Sequence, residues 1–153
     1  MDQPHQLLVF HLDGQRFSLR LTAVDRIERA VEVTPLPKMP ENVLGIVNLK
    51  GQVIPVFNVR RRFRLRERGI DPRDRFIFAR TSRRRVALVV DAVSEVLGQQ
   101  DQDVVASREI LPGLDYVEGV AKLADGLVLI HDLDRFLSVQ EEAALDEAIK
   151  HHD

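Results

Sequence analysis

The chain contains no cysteine, a single tyrosine, and no apolar run approaching the length of a membrane span. Each absence excludes a class of chemistry or of setting. Without thiols there is no disulfide framework, no thiolate nucleophile and no cysteine-type zinc site, which suits a reducing compartment and makes the cytoplasm the expected location. Residues 1–12, MDQPHQLLVFHL, open on an acid and hold only Leu7 to Phe10 as an apolar run, so neither a signal peptide nor a membrane span is expected there. Catalytic motifs are also missing: no glycine-rich phosphate loop, no His-Glu-x-x-His, no Gly-x-Ser-x-Gly elbow. Of the five histidines, His5, His151 and His152 lie near the ends. His11 and His131 stand alone in strand-like runs, where a hydrogen-bonded core or edge histidine is expected rather than a metal ligand. The carboxylate pairs Asp91/Glu95 and Asp132/Asp134 do not stand out from ordinary turn and cap acids. The expectation is a binding protein with no catalytic residue, no metal and no cofactor.

What is present begins with size and charge. At 153 residues the chain has the length of one ordinary domain, enough to remove roughly 70% of its unfolded surface from water. A net charge of −2 conceals a strong asymmetry. Residues 60–85 hold twelve basic and three acidic side chains, and residues 86–153 hold four and fifteen. Such a split marks a charged interaction surface or, more plainly, a solvated arginine-rich loop and an acidic tail.

The pattern is mostly β. Leu7 to Leu12 and Arg16 to Leu21 flank Asp13-Gly14-Gln15, a hairpin signal in which Gly14 can take a positive φ. Thr22 to Ile27 reads as one helical turn, with Thr22 as cap and Ala23 and Ile27 on one face. Pro35, Pro37 and Pro40 then hold an extended loop leading into a second hairpin, NVLGIVNLKGQVIPVFNVRRRF, residues 42–63. Further strands are expected at Phe76 to Arg80, Val86 to Val90, Val93 to Leu97, Val117 to Leu123 and Leu127 to His131, with turns at Ser82 to Arg84 and Asp125-Gly126. Many short strands between turn signals indicate barrels or a sandwich. The second hairpin also reappears 74 residues later: Gly45, Leu49, Ile54, Val56, Asn58 and Val59 fall opposite Gly119, Leu123, Val128, Ile130, Asp132 and Leu133 without a gap. Two similar barrels packed together are the economical reading. Ser138-Val139-Gln140-Glu141 is a capping box that starts a closing helix, with Leu137, Ala144, Leu145, Ala148 and Ile149 as its apolar stripe and core cover as its expected role.

Four segments in this order resemble a known family: Leu8-Val9-Phe10; Gly45 to Val56 (GIVNLKGQVIPV) continuing through Arg60 and Phe63; Leu88 to Leu97 (LVVDAVSEVL); and Tyr116 to Ala121 (YVEGVA). Together they resemble the CheW-like domain of bacterial chemotaxis signalling, from about Gln6 to Ser138, with residues 139–153 as a C-terminal helix and tail. The resemblance implies an all-β fold of two five-stranded SH3-like barrels packed together. It also implies an adaptor, not an enzyme, that joins the cytoplasmic tip of chemoreceptors to the regulatory domain of a CheA-type histidine kinase, recruited to receptor arrays at the inner face of the membrane. Carried over residue by residue, it assigns Arg26, Gly45, Lys50 and Gly51 to kinase and receptor coupling, and Val24, Ile27 and Ile77 to a groove for a receptor helix.

Two positions depart from the family pattern. Lys50 stands where arginine is usual, keeping the charge but losing the planar fork that grips a carboxylate. Arg26 stands where a glutamate is frequent, so the sign is reversed. Both suggest a dedicated partner set, such as an alternative chemosensory pathway. The competing reading is a nucleic-acid-binding barrel that uses Arg60 to Arg68, although Phe63 is the only aromatic within that run. The arginines themselves are expected to divide: Arg60 anchoring the hairpin end near Asn58, and Arg61, Arg62, Arg64, Arg66 and Arg68 solvated in a mobile connection.

Overall fold

In the computed structural model the described residues are 6–98, 103–106 and 116–150. The strands are β1 (Leu7–Leu12), β2 (Gln15–Arg20), β3 (Val24–Arg29), β4 (Val43–Leu49), β5 (Gln52–Phe57), β6 (Arg75–Arg80), β7 (Arg85–Val90), β8 (Ala92–Leu97), β9 (Asp103–Ala106), β10 (Val117–Leu123) and β11 (Gly126–His131). A single helical turn, α1 (Val59–Arg62), follows β5, and α2 (Val139–Lys150) comes after β11.

The strands form two sheets, ordered β3-β6-β7-β5-β4 and β8-β1-β2-β11-β10-β9. The first closes on itself, because the chain beyond β3 returns at Thr34 to bridge Ile46 on β4. One sheet therefore has the five strands expected and the other has six, the additional one being β9, whose four residues (DVVA) are too few to signal a strand.

Three apolar clusters explain the runs in the sequence. Val47, Ile54, Val56, Phe76, Phe78 and Ala87 fill the first barrel, and Leu7, Val9, Leu97, Ala121, Val128 and Ile130 fill the second. The largest cluster, including Leu8, Phe10, Phe57, Ile77, Leu88 and Phe136, lies between them. Side chains alternate across a strand, so β1 sends Leu7 and Val9 to one cluster and Leu8 and Phe10 to another. β6 divides Phe76 and Phe78 from Ile77 in the same way. Strands buried on both faces lose the apolar/polar alternation, which is why LLVF and FIFA read as continuous runs.

The repeat found in the sequence is present in space. Each hairpin carries a bulge at the same point, between Val43 and Gly45 and between Val117 and Gly119. Each second strand then makes a short parallel pairing, β5 with β7 and β11 with β2. Asn58 and Asp132 both cap the turn that follows, accepting from the Arg61 and Asp134 amides respectively.

Several expectations are corrected. Thr22 to Ile27 is not a helical turn: Leu21–Ala23 form a 3-10 turn without a side-chain cap, and the chain enters β3 at Val24. Pairing with β6 outweighs the weak Ala23/Ile27 helical face. Pro55, whose missing donor suits an edge or a bulge, lies instead in an interior strand. Ile46 spends its amide and carbonyl on Thr34, so Ile46 and Pro55 form a pair without mutual hydrogen bonds, and the missing Pro55 donor faces away from β4. On β7 the parallel pairing begins only at Val56. The last hairpin turns at Ala124-Asp125, since Leu123 pairs with Gly126.

The capping box at α2 forms as read, with Glu141 accepting from the Ser138 amide at 3.0 Å and Ser138 Oγ from the Glu141 amide at 3.1 Å. Its inward stripe differs in that Ala144 is exposed and Glu142 is buried, pairing with Arg84 at 3.0 Å. Leu145 is fully buried in the central cluster, with Ile149 packed against it.

Candidate functional site

The Lys50-Gly51 turn is built from the residues that flank it. Lys50 has φ 52° and Gly51 φ 86°, the two positive values of a type I′ turn, the twist that suits a two-residue hairpin. Asn48 Oδ1 accepts from the Gly51 amide at 2.8 Å, so the asparagine of NLKG fixes the turn that presents the lysine. A lysine in this conformation is uncommon. Its side chain is exposed and has no ion pair among the described residues.

Gly45 plays a different part. It is buried, and a Cβ there would lie 2.3 Å from the Thr34 carbonyl oxygen. Gly45 therefore serves the closure of the first barrel and offers no side to a partner.

β3 forms an outer wall of the first barrel. Val24 is half-buried against the central cluster, and Ile27 is 42% exposed. Ile77 lies opposite Ile27 in the register yet is fully buried, so it supports the wall from within and does not line a groove. The FIFA run hid this, because both of its faces are apolar. Arg26 is exposed and pairs with Glu28 at 2.7 Å, on the same side of the strand. Between Val24 and Arg26, Asp25 does work that the sequence did not signal. It pairs with Arg80 Nε at 3.2 Å, and Arg85 Nε approaches it to 3.0 Å without hydrogen-bond alignment. Arg85 also donates to Gln52 Oε1 at 2.9 Å. The relay from Gln52 through Arg85 to Asp25 ties the Lys50 hairpin to the β3 wall. Arg26 and Lys50 themselves are not in contact.

The arginine stretch is largely neutralised from within. Arg60 is buried and reaches Asp13 at 2.7 Å, Asp91 at 2.5 Å and the Arg66 carbonyl at 3.0 Å. Arg68 grips Asp74 with two nitrogens, at 2.8 and 2.9 Å, and Asp91 at 2.7 Å. Arg61 pairs with Glu41 and Glu67, and Arg62 lies over the Tyr116 ring, 4.6 Å from its centroid. Arg60 thus anchors the hairpin end as expected, whereas of the five arginines expected in solvent only Arg64 and Arg66 are exposed without a side-chain ion pair among the described residues. Burial alone would raise the Asp91 pKa, but the Asp13 amide and the Arg60 and Arg68 guanidiniums outweigh it and hold the carboxyl below its usual range. A run committed in this way presents little free charge to a phosphate backbone.

Among the described residues no group of three acids or histidines is placed to hold a metal. His131 is a core residue, 2% exposed, but not a hydrogen-bonded one: neither ring nitrogen has a partner among the described residues. It sits against Phe63 and Phe136, with ring centroids 5.0 and 5.3 Å away. Burial, and then the Arg62 charge, push its pKa down to about 3. His5, His151 and His152 lie outside the described residues.

Comparison with known proteins places this geometry. A family model described as the CheW-like domain matches residues 6–141. The chain is similar to the Chemotaxis protein CheW of Rhizobium meliloti (strain 1021), 31% identical over 142 residues that cover 91% of this chain and 92% of that one. It is similar also to the Chemotaxis protein CheW of Treponema pallidum (strain Nichols), 25% identical over 146 residues, 92% of this chain and 86% of the relative. Among solved structures, that of the scaffolding protein TtCheW from Thermoanaerobacter tengcongensis superposes with a TM-score of 0.79 at 29% identity, covering 91% of this chain and 96% of that one.

Proposed function

We propose, because this chain belongs to the CheW-like domain family, that it is a scaffold coupling chemoreceptors to a CheA-type histidine kinase in chemosensory signalling. The observation that carries the reading is the superposition on a scaffolding protein over nine-tenths of both chains. The local geometry supports it: an exposed outer strand, a rigid hairpin turn presenting a lysine, and a relay between the two. No described helix is long and apolar enough to cross a membrane; on the adaptor reading, contacts with the receptors hold the chain at arrays on the inner face of the membrane.

Val24 and Ile27 are the residues we assign to the receptor, with Ile77 holding the wall in place. Lys50 and Gly51 form the coupling turn, and Arg26 sets partner preference through its charge. Lysine can make only a point contact with a carboxylate, and Arg26 already shares its charge with Glu28. Both features favour a partner set of its own. The test is binding of Val24→Asp and Ile27→Glu to the receptor tip and to the kinase regulatory domain. Each should weaken the receptor at least tenfold and leave the kinase unchanged. Ile27→Glu is the safer variant, since its site is already open to water. Equal loss of both partners in a folded variant, or no loss of either, overturns this surface.

A further inference from the structure

The register of β3 on β6 fixes which side chains share the outer wall of the first barrel. Val24, Ile27 and Arg29 stand opposite Ala79, Ile77 and Arg75. Residues 75, 77 and 79 alternate with 76 and 78 and so lie on one face of β6. A bulge between Val24 and Arg26 brings Val24, three residues before Ile27, onto that same face. The face is therefore a strip with three rungs, apolar over the first two and doubly cationic at the third. Arg29 lies about 7 Å beyond Ile27 along the strand.

The fold does not balance this third rung. Like charges directly opposite one another destabilise a sheet. Arg29 is exposed and makes no hydrogen bond or ion pair among the described residues. Arg75 donates through Nη1 to the carbonyls of Arg73 at 3.1 Å and Asp74 at 3.3 Å, and meets no carboxylate among the described residues. The acids close by in the chain are committed elsewhere: Glu28 to Arg26, Asp71 to Arg73, and Asp74 to two nitrogens of Arg68. Glu32, exposed three residues past Arg29, pairs with neither arginine. One guanidinium is thus oriented by carbonyls beside another that stands open to water, and both lack a counter-ion.

We propose that Arg29 and Arg75 form a clamp for a carboxylate of the receptor tip. The helix that lays apolar side chains on Val24 and Ile27 carries an Asp or Glu about one turn further on, which the two guanidiniums receive. This rests on the adaptor reading and states what the receptor must present. The step from Ile27 to Arg29 is little more than the pitch of an α-helix, about 5.4 Å, so an acid four residues along from the one that meets Ile27 reaches the pair. Planar guanidiniums suit a carboxylate, which they can bind through two parallel hydrogen bonds. The apolar rungs favour an amphipathic helix over a polyanion, whose binding rests on charge alone.

The test titrates the receptor tip and the kinase regulatory domain calorimetrically against wild type, Arg29→Glu with Arg75→Glu, and Ile27→Glu, at low and raised salt. The double variant should bind the receptor at least tenfold more weakly, with less sensitivity to salt than wild type, and should bind the kinase unchanged. Restoration separates a contact from a merely structural role: of receptor tips in which one surface acid at a time becomes lysine, at least one should bind Arg29→Glu better than it binds wild type. Undiminished receptor binding by the double variant, with Ile27→Glu impaired, overturns the clamp and leaves the receptor wall standing. If neither weakens the receptor, the wall itself is misplaced and the clamp falls with it. Weaker kinase binding by the double variant, alone or with the receptor, also overturns the clamp. Should the double variant fail to fold, Arg29→Gln decides: weaker receptor binding with a smaller salt response supports the clamp, and wild-type values of both overturn it.

Discussion

Lowering the pH from 7 to 5 should cost this fold about 2 kcal/mol through His131 alone. The unfolded chain takes up a proton on that residue near pH 6.5, whereas the folded state holds its pKa down to about 3. The folded pKa is depressed, so the stability is fully present above 6.5 and is lost as pH falls from there towards 3. In that window the loss approaches about 1.4 kcal/mol per pH unit, which accumulates to about 2 kcal/mol by pH 5. Asp91, whose pKa is lowered, contributes a loss of the same sense only as pH falls below the ordinary carboxylate range, outside this window.

The assay is urea unfolding at pH 7, 6 and 5 for the wild type and His131→Val. All other histidines are common to both, so the difference isolates one side chain. The variant should show little change between pH 7 and 5 beyond what those shared groups contribute. Near pH 7 it should lose at most about 1–2 kcal/mol, since the volume lost is offset by removal of two unsatisfied nitrogens. Parallel pH profiles for the two proteins would refute the argument and mean that the imidazole is solvated or partnered.

Three further outcomes follow from the charged network. Arg60→Met should lower stability by about 2–3 kcal/mol, less than a fully buried pair would lose, because Asp91 keeps Arg68 and both acids are partly exposed; the melting temperature measures it. Arg64→Glu with Arg66→Glu should change stability by no more than about 0.5 kcal/mol per site, and a large fall in melting temperature would show that the solvated pair is structural after all. Arg26→Glu should move affinity towards kinase partners of more basic surface, with a difference that shrinks as salt rises in calorimetric titrations; unchanged affinities at two salt concentrations would count against a role for its charge.

The strands and turns were legible where the signals are local. Asp13-Gly14 names its turn by residue type, Gly51 marks the second, and Ser138 and Glu141 name the helix start. β3 was not legible, because Asp25, Arg26 and Ile27 are all exposed on an outer strand and leave no alternation to read. The ion pairs were hidden for a different reason. Arg60 could be read as the anchor at the hairpin end, but its partners Asp13 and Asp91 lie 47 and 31 residues away in the chain, and nothing in the spacing of charges names them. The unpartnered state of His131 is likewise a tertiary fact. Its sequence neighbours, Ile130 and Asp132, look like any strand end.

The parallel pairing of β2 with β11 bears on the order in which the chain can be built. Residues 24–90 supply every strand of the five-stranded barrel, so that unit is complete once a contiguous stretch has left the ribosome. The other barrel begins with the first strands made but is completed by strands near the end: Ser18 donates to the Leu129 carbonyl 111 residues further on. At ordinary synthesis rates that gap lasts roughly 5–20 s. Throughout it, β1 and β2 can pair with each other but hold Leu7, Val9 and Phe10 without the partners that later bury them. The nascent chain thus carries a finished barrel beside an adhesive apolar ribbon. A product stopped before β11 would keep both, folded in one half and prone to aggregate through the other.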